Sequence, residues 1–313
     1  MAFLKKGIMP YDVPENKRLR LIVNTDAANE ADDQFAIAHA LLTPRFDNVG
    51  LIAAHFGTRS ETSMQESYDE IINVLKLMEM EEDYQVYKGA EKAVVAGEKP
   101  QLTEGAKLII DEAMREDTTT PLFVIFLGPI TDLAVAYLLE PRIENRLTAV
   151  WIGGGAYPHG GEEFNLANDI EAANVVFQSR IPLWQVPRNV YKMVRVTIAE
   201  LAVRVRPHGE IGRYLYDQLV EFNHLPRHHL RWPPGESWQL GDSPAVSLLL
   251  DDHAFEYDDV PAPHVEKDMT YTARDTDRTI RVYRSVDSRF TLEDMYAKLE
   301  LFHQYQLQSE GKK

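Results

Sequence analysis

The chain has 313 residues, of which 44% are hydrophobic and 26% charged, as expected for a globular protein with one large α/β domain or two smaller ones. A formal net charge of -16 argues against nucleic acid as a partner, because phosphate binding needs a basic surface. The absence of cysteine excludes disulfides, thiolate metal sites and cysteine nucleophiles. The N-terminus lacks the apolar segment of a secretory signal, and no apolar run approaches the ~20 residues that span a bilayer. We therefore expect a cytoplasmic protein without membrane or nucleic-acid partners.

Strands and helices are predicted to alternate through the N-terminal part of the chain. Apolar runs of strand length predict strands at residues 19–24, 49–55, 85–87, 121–127, 147–152 and 181–186. Apolar residues at helical spacing predict helices over residues 33–42, 61–78, 106–114, 133–139 and 171–179. Such alternation is typical of a mostly parallel central sheet with helices on both faces.

The C-terminal part is predicted to be more helical. Helices are expected over residues 198–205, 211–222, 245–250 and 292–302, with a hairpin that pairs residues 269–272 with 280–283. Residues 1–17 are polar and read as an irregular arm. Because no linker, repeat or low-complexity segment divides the chain, we predict a single α/β domain over residues 1–313.

An acidic turn follows the first predicted strand. Asn24, Asp26, Asn29, Asp32 and Asp33 lie in or beside this turn, and a helix begins at its end. Side chains with oxygen ligands are those that a hard cation such as Ca²⁺ prefers. The alternative is helix capping, because aspartate is favoured in the first turn of a helix. Capping explains one or two of the aspartates but not Asp26 on the strand side, so the pattern favours a metal or sugar site.

Three further strand or loop ends carry polar groups, at residues 128–132, 163–165 and 241–242. In a parallel sheet these turns lie at the same edge and can meet in one crevice. Three carboxylates and a backbone carbonyl form a plausible Ca²⁺ site with open positions for water and substrate hydroxyls. A metal-held water beside a carboxylate that takes its proton is a nucleophile near neutral pH, and nearby Glu and Asn side chains can bind a polyol. The residues alone predict metal-assisted hydrolysis of a sugar-like substrate.

These motifs resemble those of the inosine–uridine-preferring nucleoside N-ribohydrolase family. The resemblance rests on four stretches that follow the family's order: Asn24-Thr25-Asp26 with Asp32-Asp33, Leu127 to Asp132, Glu163-Phe164-Asn165 with Asp169, and Gly241-Asp242-Ser243-Pro244. It implies a nucleoside hydrolase-like fold and hydrolysis of the N-glycosidic bond of a nucleoside or related N-riboside to ribose and free base. It also implies a homodimer or homotetramer.

The resemblance further implies a role for each motif residue. The Ca²⁺ ligands would be the side chains of Asp26, Asp33 and Asp242 with the backbone carbonyl of Thr131. Asp26 would also be the general base that deprotonates the bound water. The residues that hold the sugar hydroxyls would be Asp32, Asn165 and Glu163. The transition state would resemble an oxocarbenium ion, as in other glycoside cleavage.

The sequence departs from the family pattern in the acidic turn and at three contact positions. The turn is two residues longer than usual, and Gly57, Pro158 and Gly241 stand where the family often has Asn, Asn and His. We predict that the longer turn supplies the missing sugar contacts. The residues expected near the sugar are therefore Asn29, Glu30 and His55.

The leaving group has no obvious partner in the sequence. A departing purine needs a proton or a strong hydrogen bond, because its anion is a poor leaving group. With Gly241 in place of His, other residues must serve such a substrate. The candidates are Tyr157 for stacking and His55, His159, His224, His228 and His229 for proton donation.

Two other functions stay open. A non-catalytic relative would bind a ribosyl or polyol ligand in the same acidic pocket, which the altered sugar and base contacts motivate. A phosphohydrolase that acts through Asp26 is disfavoured, because the chain shows no basic phosphate cradle.

Overall fold

Alternating strands and helices form a central sheet, and the acidic residues lie in turns at one edge of it. The computed structural model describes residues 4, 5, 7–225, 235–251 and 255–310. The strands are β1 (Leu19–Thr25), β2 (Phe46–Ala53), β3 (Val86–Lys88), β4 (Leu122–Phe126), β5 (Thr148–Ile152), β6 (Leu183–Val186), β7 (Arg195–Thr197), β8 (Ser237–Gln239), β9 (Tyr257–Pro261), β10 (His264–Val265), β11 (Tyr271–Thr272) and β12 (Thr279–Tyr283).

The helices match most of the predicted ones, with ends that shift by a few residues, but the C-terminal helix spans residues 288–310 and is about twice as long as predicted. They are α1 (Asp33–Leu41), α2 (Ser63–Leu77), α3 (Glu104–Ala113), α4 (Thr131–Leu139), α5 (Phe164–Asn168), α6 (Ile170–Gln178), α7 (Arg188–Tyr191), α8 (Ile198–Arg204), α9 (Gly209–Asn223), α10 (Ser243–Ser247) and α11 (Ser288–Glu310). The short helices α5 and α7 are absent from the sequence-based prediction, because neither is long enough to show a helical repeat of apolar residues.

The central sheet has eight strands in the order β3-β2-β1-β4-β5-β6-β12-β9. All neighbouring strands run parallel except the edge strand β9, which is antiparallel to β12. The prediction of an α/β fold with a mostly parallel central sheet is confirmed. Strand β1 lies between β2 and β4, so the loops that follow these three strands open side by side at one edge.

Each face of the sheet packs against its own hydrophobic core. Leu21 and Val23 of β1 belong to one core, whereas Ile22 between them belongs to the other. The first core contains the buried residues of α1, α2, α9 and α11, and the second contains those of α3, α4 and α6. Since successive side chains of a strand point to opposite faces, this alternation explains why the central strands are apolar throughout.

Helix α1, which carries Asp33 at its start, is held in place by a buried polar contact with α11. Its residue His39 is fully buried, and His39 Nε2 lies 2.6 Å from Asp294 Oδ2. Lys298, which also pairs with Asp294, donates to Thr43 Oγ1 just beyond the end of α1 at 3.0 Å. The C-terminal end of α1 is thereby fixed against α11.

The predicted C-terminal hairpin is wrong. β11 pairs with β10 in a small antiparallel ladder, and β12 joins the central sheet, parallel to β6 and antiparallel to β9. Ile280 and Val282 of β12 are buried in the second core, which decides in favour of the central sheet over a local hairpin. Among the described residues, no helix is both long and apolar enough to cross a membrane.

Candidate metal and substrate site

The turn after β1 holds Asp26 in a tight, fully buried position. The carbonyl of Asp26 accepts a hydrogen bond from Asn29 N at 2.8 Å, which closes the start of the turn. Gly128, in the loop after β4, faces the Asp26 side chain: a Cβ on this glycine would lie 2.7 Å from Asp26 Cγ. Only a glycine leaves room for the carboxylate here. The Oδ2 atom of Asp26 is buried and has no hydrogen-bond partner.

Three other carboxylates meet beside this turn. Asp32, Asp33 and Asp242 are all buried, and each offers one oxygen that lies within 4.8 Å of those of the other two. Asp32 and Asp33 come from the start of α1, and Asp242 directly precedes α10. Thr25 donates from its hydroxyl to Asp33, and Gly241 N donates to Asp32 Oδ2 at 2.9 Å.

Burial and mutual repulsion make this cluster unfavourable when all its carboxylates are ionised. Burial and the charge of Asp33 raise the pKa of Asp32 to about 8. Burial raises the pKa of Asp33 to about 6, although the hydrogen bond from Thr25 acts in the opposite direction. For Asp26 and Asp242 as well, burial and the charges of neighbouring carboxylates raise the pKa well above its ordinary range. A bound cation would remove this penalty.

Helix capping does not account for the cluster. Neither Asp32 before α1 nor Asp242 before α10 makes a side-chain cap hydrogen bond. The buried, unpartnered oxygen of Asp26 likewise needs a partner, because burying such a group costs free energy. Both observations fit a divalent cation with oxygen ligands, for which Asp32, Asp33 and Asp242 have the closest mutual geometry. The sequence-based choice of Asp26 with Asp33 and Asp242 stays a prediction, as does the carbonyl of Thr131.

Thr131 lies at the start of α4 in a chain of hydrogen bonds. Its hydroxyl donates to Asp169 Oδ2 at 2.7 Å and lies 2.9 Å from His55 Nε2. Because Gly57 N donates to His55 Nδ1 at 3.1 Å, the histidine proton is on Nε2, and that nitrogen donates to Thr131. Burial lowers the pKa of His55 to about 4, so the ring is neutral. Both ring nitrogens of His55 are thus engaged within the protein.

Glu163 and Asn165 join the ends of β4 and β5. Glu163 caps α5, with Oε2 accepting from Gly154 N and Leu166 N, both at 2.8 Å. Asn165 donates from Nδ2 to Leu127 O at 2.7 Å and to Ile152 O at 2.9 Å. For Glu163 the capping interpretation therefore holds in addition to any role with the sugar.

The longer turn is tied to the Glu163 segment by Arg59, a residue that the sequence analysis overlooked. The Arg59 guanidinium donates to Asn29 Oδ1 at 2.8 Å and lies 3.9 Å from the centroid of the Phe164 ring. Burial and the charges of Asp32 and Asp33 raise the pKa of Glu30, and the positive charges of Arg59 and Lys192 oppose them. Asn29 and Glu30 therefore lie within the electrostatic environment of the carboxylate cluster.

Tyr191, at the end of α7, is a second residue that sequence reasoning missed. Its hydroxyl donates to Glu163 Oε1 at 2.9 Å. A Cβ on Gly241 would lie 3.0 Å from Tyr191 Cδ2 and 3.4 Å from Asp32 Oδ2. Tyr191 thus bridges the Glu163 segment and the residue before Asp242. No periodic signal marked it, because it belongs to a helix of one turn.

The remaining candidates lie apart from these contacts. Tyr157 packs against the second core, and His159 and His224 are exposed. His228 and His229 lie outside the described residues. At Gly57, a Cβ would lie 2.3 Å from Asn168 Oδ1, so the space beside this glycine is taken by an amide from α5.

Comparison with known proteins gives consistent matches over most of the chain. The family model described as inosine-uridine preferring nucleoside hydrolase matches residues 21–293. The pyrimidine-specific ribonucleoside hydrolase RihB of Escherichia coli (strain SE11) is 27% identical in an alignment of 234 residues that covers 66% of this chain and 71% of RihB.

Solved structures share the fold. The plant nucleoside hydrolase PpNRh1 aligns with a TM-score of 0.73 and 21% identity over 90% of this chain and 99% of its own. The purine-preferring ribonucleoside hydrolase from Gardnerella vaginalis aligns with a TM-score of 0.75 and 19% identity over 91% of this chain and 99% of its own. At these identities the structures establish the fold alone.

The family match includes the acidic turn after β1, the Glu163–Asn165 segment and Asp242. The sequence-based prediction of an N-ribosyl hydrolase is confirmed by it. The chain therefore belongs to the inosine-uridine preferring nucleoside hydrolase family.

Proposed function

We propose that the protein hydrolyses the N-glycosidic bond of a nucleoside or related N-riboside with the help of a bound Ca²⁺ ion, giving ribose and free base. The observation that carries this proposal is the set of three buried carboxylates within 4.8 Å of one another, beside the unpartnered oxygen of Asp26. A purely carboxylate set favours a hard cation, and Ca²⁺ accepts the irregular geometry of a loop-borne site.

A bound Ca²⁺ would supply the positive charge that holds the attacking water and lowers its pKa. Asp26 would accept the proton of that water through the oxygen that has no partner within the protein. The C1′–N bond would break as the bond from C1′ to the water oxygen forms; the departing base would take up a proton from solvent, and Asp26 would return to solvent the proton it took from the water. Asp32, whose Oδ2 is held by Gly241 N, would bind a ribose hydroxyl or the ion through its other oxygen.

The sugar would be held by groups fixed before it binds. Asn165 is anchored through Nδ2 to two strand ends, so its Oδ1 has a set direction from which to accept a hydroxyl proton. Glu163 is held through Oε2 by two backbone N–H groups. Such preorganisation is worth more than the same groups on mobile side chains, because little ordering entropy remains to be lost on binding.

The base is the least defined part of the substrate. RihB is named for pyrimidines and the Gardnerella enzyme for purines, so both uridine and inosine belong in the substrate panel. We further expect a homodimer or homotetramer, which sedimentation of the purified protein measures.

The test is release of reducing sugar from this panel by wild type, by Asp26→Asn and by Asp47→Asn as a matched control. Asp47 is a buried aspartate at the start of β2, at the end of that strand remote from the site. We expect Asp26→Asn to lower kcat by at least ~100-fold, the usual contribution of a general base, and Asp47→Asn to keep the wild-type rate in its folded fraction. Saturable ribose binding by wild type without any sugar release would contradict the proposal in favour of a binding protein.

A further inference from the structure

Tyr191 stands between the two parts of the candidate site. Through its hydroxyl it contacts Glu163, and through its ring it contacts the backbone that leads into Asp242. The side chain is half-buried and packs in part against the first core. Its backbone is fixed in α7, which follows directly from the end of β6, where Tyr191 N bonds to Pro187 O at 3.0 Å.

The hydroxyl of Tyr191 completes the environment of the Glu163 carboxylate. Oε2 of this glutamate accepts from two backbone N–H groups, and Oε1 accepts from Tyr191 at 2.9 Å. The carboxylate orientation is therefore set from both sides. Burial and the adjacent Glu163 carboxylate raise the pKa of Tyr191 well above its ordinary value, so the phenol stays protonated and donates at neutral pH.

The ring of Tyr191 crowds position 241. An added Cβ there would approach Tyr191 Cδ2 to 3.0 Å, closer than ordinary van der Waals contact. Residue 241 must keep its place, because its N–H holds Asp32 Oδ2. Gly241 has no positive φ, so the ring contact accounts for the glycine where backbone conformation does not. An aromatic wall thus lies next to the carboxylate cluster.

We propose that Tyr191 is a positioning and specificity-determining residue of the N-riboside site: its hydroxyl orients Glu163 towards the sugar, and its ring forms the wall against which the heteroaromatic base stacks. This inference rests on the proposed function. Base–aromatic stacking tolerates any base, since every base presents a π-face. The phenol acts as a hydrogen-bond donor and not as the acid that protonates the leaving group.

The roles of the Tyr191 hydroxyl and of its ring are distinguished by comparing Tyr191→Phe with Tyr191→Ala on ligands with and without a base. Ribose, which has no base, should bind about tenfold more weakly to both variants, because each loses one hydrogen bond to a charged group. The KM for uridine and inosine should rise about tenfold in Tyr191→Phe, with kcat changed less than about threefold. In Tyr191→Ala the KM for nucleosides should rise about tenfold further, as stacking is lost.

Tyr296→Phe is the matched control. Tyr296 donates to Glu200 Oε1 at the same 2.9 Å in a tyrosine–glutamate pair on α11 and α8, and this change should leave ribose binding and nucleoside KM unaltered. The contact between ring and glycine is tested by thermal unfolding of Gly241→Ala, Tyr191→Ala and the double variant. Gly241→Ala should lower Tm when Tyr191 is present and have little effect when residue 191 is alanine.

Each readout can overturn the inference. Unchanged ribose binding in Tyr191→Phe would exclude the role in orienting Glu163, and equal nucleoside KM in Tyr191→Phe and Tyr191→Ala would exclude the stacking wall. Additive effects on Tm would contradict the ring contact. Ribose binding needs no turnover, so a wild type that binds ribose through Tyr191 but cleaves no nucleoside would count against the proposed function and not against the role of the hydroxyl.

Discussion

Substitution of Asp33 by asparagine should stabilise the protein in the absence of calcium and remove most of its stabilisation by calcium. Asp33 is one of three buried carboxylates within 4.8 Å of one another, and its pKa is raised to about 6 from an ordinary 3.8. At pH 8 this difference corresponds to a penalty of about 3 kcal/mol for the ionised form in the absence of a cation. Asparagine removes the charge and can still accept the hydrogen bond from the Thr25 hydroxyl.

In chelator at pH 8, Asp33→Asn should therefore be more stable than wild type, by up to about 3 kcal/mol. For a chain of this length that is a rise in Tm of up to about 6 °C, at roughly 2 °C per kcal/mol. Calcium at 100 times its Kd should stabilise wild type by about 2.7 kcal/mol, or about 5 °C. The variant should lose most of this response, because it lacks a charged ligand.

The assay is thermal unfolding of wild type, Asp33→Asn and the control Asp47→Asn, each in chelator and in a calcium titration at pH 8. Asp47→Asn should respond to calcium as wild type does. If Asp33→Asn had a lower Tm than wild type in chelator and the same response to calcium, the reasoning would be refuted. The Asp33 charge would then neither destabilise the cluster without calcium nor contribute to binding the ion.

Three further predictions follow from the same contacts. In chelator, the free energy of unfolding of wild type should fall as pH rises from about 4 to about 8. The folded-state pKa values of Asp33 (about 6) and Asp32 (about 8) lie above the unfolded value. The stability that these two carboxyl groups contribute is therefore complete at low pH and is lost through this window. Saturating calcium should remove that slope in urea unfolding, and a slope unchanged by calcium would exclude ion binding at this cluster. Asp132→Ala should cost about 1–3 kcal/mol and speed proteolysis within residues 89–103, because Oδ1 of Asp132 accepts from both Ala90 N and Thr103 Oγ1; a loop as resistant as in wild type would contradict this anchoring role. Deleting two residues from the turn at 27–31 should weaken ribose binding at least tenfold, and retained affinity in calorimetry would show that the longer turn makes no sugar contact.

The sheet and its polar edge could be predicted because both follow from local patterns. The apolar run before Asp26 marks a buried strand, and Thr131 lies just after another one. In a parallel sheet the carboxyl ends of adjacent strands meet, so their convergence needs no knowledge of side-chain packing. The sequence favours Asp26 as a ligand and Asp32 as a sugar contact, whereas the folded geometry groups Asp32 with Asp33 and Asp242.

Contacts set by packing between distant short elements could not be predicted. Tyr191 reaches Glu163 from a one-turn helix, and Arg59 reaches Phe164 from a three-residue 3-10 helix, so neither contact has a signature in hydrophobic periodicity. The error in the C-terminal hairpin has a similar cause. The edge strand β9 (Tyr257–Pro261) is largely exposed and acidic, so it shows no apolar alternation, and β12 was assigned to the nearest apolar segment instead.

The most direct test of the central claim is to quantify both products from uridine and inosine, with calcium and after its removal by a chelator. We predict equal amounts of ribose and free base with at least one nucleoside in calcium, a rate at least 100-fold lower in chelator, and recovery of the rate when calcium is returned. Absence of both products in calcium, or product formation that is unaffected by the chelator, would contradict a calcium-dependent N-ribosyl hydrolase.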